Sequence, residues 1–153
     1  MTVQEKIASV ATRFKEAEYR FMNWAQLNVE LDHVEKPTIC YILPASGTLT
    51  PKRSATLWRD APQTQIAFLV PTDFDFDGAE NDDLIETMKD LAKQFVRALN
   101  ASGHFEMIDD QELPYRVAYD TLDDNVTGII LEITLREKEL KSYCKNDYNF
   151  GFE

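Results

Sequence analysis

The apolar positions of this chain change their period along its length, and each change predicts an element. Ile7, Val10, Ala11, Phe14, Ala17 and Phe21 recur at steps of three and four, with Lys6, Arg13, Lys15 and Glu16 between them. That stripe predicts a first helix over about residues 3–22. Thr2 and Glu5 have capping-box spacing at its start, and Phe21, Met22 and Trp24 end it as bulky groups suited to plugging a core. Leu27, Val29 and Leu31 then alternate with Gln26, Asn28 and Glu30, the period of a half-buried strand. The run Thr38-Ile-Cys-Tyr-Ile-Leu43 is continuously β-prone and predicts a strand covered on both faces, stopped by Pro44. A further apolar strand, Thr64–Val70, is closed by Pro71.

Between these two strands, Ser46–Arg59 holds a Gly, a Pro and the cations Lys52, Arg53 and Arg59. Such a stretch reads as a solvated connecting loop or as an extended arm reaching a neighbour, with Ala55–Asp60 as a strand or hairpin arm. The strongest helix signal comes later. Leu84, Met88, Leu91, Ala92, Phe95 and Leu99 form one stripe that ends before Gly103. Asp82 and Asp83 stand at its start, where acid suits the helix dipole, and Asp83 to Glu86 again has capping-box spacing. Gly103 sits where a helix closes through a left-handed residue. Tyr115, Val117 and Tyr119 alternate along one strand, and Ile129, Leu131, Ile133 and Leu135 along the next. Joined by the polar turn Asp120–Asn125, they predict an antiparallel hairpin. The fold class is therefore α+β, a mainly antiparallel sheet packed against two helices in the order α-β-β-β(-β)-α-β-β.

At 153 residues the chain fits one domain, with a core over 1–140 and an aromatic tail over 141–153. The formal net charge of −11 disfavours nucleic acid and anionic membranes as partners, because both need clustered Lys and Arg. No apolar run has transmembrane length and the N-terminus does not read as a signal peptide. Cys40 and Cys144 lack CxxC spacing and are expected as reduced thiols in a cytoplasmic setting.

Chemistry is sparse along the chain. Asp73-Phe-Asp-Phe-Asp-Gly78 matches the opening of a calcium loop, in which alternate carboxylates and a Gly turn surround a hard cation. The bidentate Glu of position twelve, however, falls on Leu84. A calcium site using Asp73, Asp75, Asp77 and Asp83, with Asp82 or Glu80 as substitutes, would need another geometry. The alternative is a strand with Phe74 and Phe76 inward and its Asp residues in water. His33 and His104 are isolated, and no GxSxG, Walker A or GxGxxG motif occurs. Cys40, inside an apolar run, reads as a small buried hydrophobe. The expectation is a protein that is not an enzyme and holds no cofactor, calcium aside. Trp58 in the arm and Tyr148, Phe150 and Phe152 in the tail are candidate interface residues. The tail aromatics are expected to dock, either on their own domain or on a neighbouring subunit, because free rings would stay needlessly wet.

Four stretches carry a resemblance: Asn23-Trp-Ala-Gln-Leu-Asn28, Pro37-Thr-Ile-Cys-Tyr-Ile-Leu-Pro44, Phe74-Asp-Phe-Asp-Gly-Ala-Glu-Asn-Asp82 and Asp124-Asn-Val-Thr-Gly-Ile-Ile-Leu131. They are similar to uncharacterised prophage-associated proteins of gut bacteria. The element order resembles small tail-terminator and tail-completion proteins of long-tailed phages. That resemblance implies an α+β subunit of a homo-oligomeric ring that meets its neighbours and other phage tail proteins through sheet edges and loops. It implies a place in the cytoplasm or in the assembled virion. It assigns no functional residue.

Overall fold

The Thr2 hydroxyl accepts from the Glu5 amide at 3.2 Å while the Glu5 carboxylate accepts from the Thr2 amide at 2.8 Å. This reciprocal cap opens the first helix, α1 (Val3–Ala11). The structure is a computed structural model and describes residues 1–23, 25–26, 36–72, 78–121 and 126–142. α1 is shorter than its apolar stripe predicts. The Thr12 hydroxyl turns back to the Ala8 carbonyl at 2.8 Å, two turns follow, and the chain becomes a strand, β1 (Glu18–Met22). Phe14 and Ala17 still reach the core from the turns. The spacing that mimics a longer helix is therefore met by a turn and a strand. What overrides the helical period is pairing of β1, in parallel, with β2 (Thr38–Lys52). The alternating Leu27–Leu31 stretch lies outside the described residues.

β2 does not stop at Pro44. It passes through a bulge between Ile42 and Ser46 and continues to Lys52, paired antiparallel with β3 (Leu57–Pro71). β1 pairs only as far as Ile42. Beyond it β2 has no other strand on its outer side among the described residues, and a proline is tolerated on such an edge. β3 likewise begins at Leu57 and runs through Pro62.

The second helix, α2 (Gly78–Ser102), starts earlier than the Asp83 cap predicts. Asp83 lies inside it, its carbonyl accepting from the Thr87 hydroxyl at 2.9 Å, and Glu86 turns to Lys89 at 2.7 Å. Acidic residues favour the first turns of a helix whether or not they cap it, so their run extends α2. Its far end is as expected, with Gly103 at φ +74°. Asn100 then braces the loop beyond, donating to the Ile108 carbonyl at 3.0 Å and accepting from its amide at 2.8 Å. β4 (Tyr115–Thr121) and β5 (Val126–Thr134) form the antiparallel hairpin, and a short β6 (Lys141–Ser142) pairs with the start of β3.

The sheet order is β1-β2-β3-β5-β4, with the β1–β2 pair parallel and the others antiparallel. This is the α+β architecture predicted. Both helices lie on one face, where Ile7 and Val10 of α1 and Met88, Ala92, Phe95 and Leu99 of α2 meet Ile39, Phe68, Ile129 and Ile133. Phe95 is fully buried with its ring centroid 5.6 Å from Phe68 and 6.0 Å from Phe14, so truncation to Ala would cost about 3–5 kcal/mol. The opposite face carries a second buried cluster of Met22, Cys40, Ile42, Ala67, Leu69, Val126 and Ile130. No helix among the described residues is long and apolar enough to cross a membrane.

Candidate interaction surfaces

Two surfaces follow from how the sheet is built. The first is an arm. β3 pairs with β5 only from Gln63 to Pro71, whereas its pairing with β2 continues from Gln63 out to Leu57. The outer halves of β2 and β3 therefore continue past β5 as an arm. The segment after β5 follows its β3 side: the Leu135 amide donates to the Pro62 carbonyl at 3.1 Å and Glu137 to Asp60 at 3.3 Å, and β6 pairs with Trp58 and Leu57. At the tip Arg53, Ser54 and Ala55 take φ values of 49°, 56° and 63° in succession. Left-handed backbone is unfavourable for non-Gly residues, so the tip is held by local bonds. The Thr56 hydroxyl donates to the Arg53 carbonyl at 2.7 Å, and the Trp58 indole N–H to the Ala55 carbonyl at 3.0 Å.

Trp58 is thus half-buried and its one donor is used inside the arm. It braces the tip, and the more accessible apolar groups are Leu49, 65% exposed, and Leu43, 57% exposed. Leu43 closes the run predicted to be covered on both faces and is nevertheless exposed, while Leu49 stands alone among polar and turn-forming neighbours, where no apolar period marks it. Lys52 and Arg53 add an exposed positive tip to a chain of net charge −11.

A buried ion pair anchors the base of this region. Lys6 Nζ of α1 lies 2.8 Å from Glu137 Oε1, both side chains almost wholly out of solvent, and Lys141 reaches the same oxygen at 3.4 Å. Lys6 also approaches the exposed Glu139 at 3.5 Å. Glu137 Oε2 has no hydrogen-bond partner among the described residues. The pair ties the N-terminal helix to the segment leading into β6. Sequence spacing gives no sign of it, because the partners are 131 positions apart.

The second surface is the outer side of β4. Tyr115 and Val117 stand opposite Leu131 and Ile129 and share their face, the one the helices pack on. The period-two reading of β4 is right about the face. Yet α2 does not reach far enough across to cover them, and each is 47% exposed. A groove of about 320 Å³ runs between α2 and β4, walled by Ala92, Val96, Leu113, Tyr115 and Leu131 and rimmed by Lys89 and Lys93. Lys89 Nζ sits 5.1 Å from the Tyr115 ring centroid, a cation–π contact.

The remaining candidates are placed as follows. Asp83 is exposed on α2, while Asp73, Asp75 and Asp77 lie outside the described residues. Among the described residues no group of three or more His, Cys, Asp or Glu could hold a metal ion. Cys40 is fully buried on the face away from the helices, and burial pushes its thiol up to about 12, Arg20 only partly opposing the shift. Such a thiol is an inert core group at neutral pH. His104 lies 3.5 Å from the Ser9 hydroxyl. A more polar hollow of about 420 Å³ lies at the β2 bulge, with Gln63, Gln65, Glu132 and Thr134 among its walls. His33, Cys144, Tyr148, Phe150 and Phe152 lie outside the described residues. No protein-family model matches this chain, and no curated protein matches it significantly.

Proposed function

We propose that this chain is a non-enzymatic assembly protein, a tail-terminator-like ring subunit that binds copies of itself and other phage tail proteins. The observation that carries the reading is the arm: a paired ribbon, braced at its tip, that presents Leu49, Lys52 and Arg53 to solvent. Apolar side chains held out on a rigid ribbon suit a contact with a neighbour, where their burial would add to affinity. The cationic tip suits an acidic surface, and every copy of this chain supplies one. The α+β element order, which resembles that of tail terminators, supports the same reading.

Size-exclusion chromatography with light scattering tests it. The full chain is expected to run as a closed multimer. A Leu49→Ser, Lys52→Glu, Arg53→Glu variant should run as a monomer with its melting temperature within a few degrees of the parent, because all three positions are exposed. A full chain that stays monomeric at high concentration, or a variant with undiminished mass, would sink the assignment to the arm.

A further inference from the structure

We propose that the groove between α2 and β4 receives residues 143–153 of a second copy of the chain, added beside β4 as an extra strand with Tyr148, Phe150 and Phe152 over Tyr115 and Val117. This deepens the assembly reading above and rests on it.

The groove needs an occupant of particular shape. Tyr115 and Val117 are half-exposed on a strand with no strand on its outer side among the described residues, so the edge suits a partner that offers both a backbone ladder and apolar side chains. An extended segment with apolar groups at alternate positions meets both needs at once, since the ladder takes its backbone and one face takes its side chains. The sequence holds such a segment in Tyr148-Asn-Phe-Gly-Phe152. Its acidic neighbours Asp147 and Glu153 alternate with the rings and so fall on the other face of the added strand, the face that carries Arg116 of β4.

The place where the described chain ends decides between a chain's own groove and a neighbour's. Ser142 pairs with Leu57 and Lys141 with Trp58, so the chain leaves β6 toward the arm tip. The groove lies the other way, since Tyr115 is opposite Leu131, which is opposite Ile66. From Leu57 to Ile66 is about 30 Å along β3 at about 3.3 Å per residue, and β4 is two strands further across. Phe150 can stand at most about 27 Å from Ser142 even on a fully extended chain. One chain cannot turn back and seat all three rings in its own groove. A neighbour's groove carries no such restriction.

Three rings bury roughly 450–750 Å² between them, close to the roughly 800 Å² per partner of a stable interface. A tail given to one neighbour and a groove filled by another is a head-to-tail contact, which builds a ring where the rotation between copies closes and a filament where it does not.

The test uses two full-length variants, Phe150→Ser with Phe152→Ser in the tail and Tyr115→Asp with Val117→Asp in the groove. Mass is read by light scattering and folding by melting temperature. Each variant alone is expected to be a folded monomer, while an equimolar mixture recovers a species of two chains through the one intact tail and the one intact groove. If the full chain is multimeric and neither variant changes its mass, this inference falls and the assembly reading stands. If the full chain is monomeric, both fall. A tail variant that lowers the melting temperature without changing mass places the segment on its own domain and overturns the inference.

Discussion

The Lys6–Glu137 pair shows how a single contact divides between cost and gain. Removing both charges from water is expensive, and the return depends on the two remaining partners of each group. Here Lys141 and Glu139 supply only partly exposed help, and one oxygen of Glu137 is left over. Glu137→Ala, which strands Lys6 in the interior, should therefore lower unfolding free energy by about 3–5 kcal/mol in urea titrations. The double change Lys6→Met, Glu137→Leu should cost far less, because neither charge is left alone. Equal losses from the single and double changes would show that packing, not charge, sets the effect. Nothing in the sequence forecasts this pair, since Lys6 falls on the polar side of the predicted first helix and Glu137 in a charged run. The Thr2–Glu5 cap, by contrast, is wholly local and was legible from two letters at the right spacing.

At the level of elements, what could be read depended on whether local pattern and tertiary pairing agree. β5 keeps Ile129, Leu131 and Ile133 on one face and sits between two partners, so its pattern and its place coincide. Its one break is Gly128, and the reason appears only with β3 alongside: a Cβ there would collide with the carbonyl of Phe68. Gly128→Ala should cost about 3 kcal/mol or more, because the β3–β5 ladder must part to admit a methyl group. A melting temperature within two or three degrees of the parent would contradict that close approach. Residues 12–22 show the opposite case. Phe14, Ala17 and Phe21 keep helical spacing, yet the parallel edge of β2 recruits Glu18–Met22 as a strand. The stretch from Ser46 to Arg59 was ambiguous for the same reason, as only its pairing register reveals a ribbon. Of the candidate residues, Trp58 lies half-buried in the arm while Leu43 and Leu49 are the more exposed, and the alternation of β4 places Tyr115 and Val117 on the face they occupy without indicating that α2 leaves them open.

For the whole molecule, a sheet buried on both faces makes stability sensitive to alkali. Burial raises Cys40 from its ordinary 9.0 to about 12. Burial, with smaller contributions from Tyr19 and Asp60, raises Tyr41 from 10.0 to about 12. Tyr19 is also raised by burial to about 12, against a lowering hydrogen bond from Gln4. In each case the folded protein holds its proton at pH values where the unfolded chain has lost it. The stabilisation is complete below about pH 9, and it is lost progressively as pH rises from there toward 12. Urea midpoints should therefore fall across that interval, and Cys40→Ala should flatten the earliest part of the fall. A midpoint independent of pH between 9 and 11 would contradict the burial of these groups.

The outer edge of β2, which beyond Ile42 carries no further strand among the described residues, has one more consequence. A bare strand edge on a projecting ribbon is a template on which further strands can stack without limit, the route to fibrils. Two prolines, at 44 and 51, withdraw amide donors from this one, and the bulge after Ile42 breaks its regular spacing. The ribbon can thus stay exposed in a free chain without seeding open-ended growth, leaving only contacts that its side chains specify. Pro44→Thr with Pro51→Thr should restore the template and give thioflavin-positive aggregates on prolonged incubation, where the parent stays clear. If both solutions stay clear, the prolines are not what keeps this edge from polymerising.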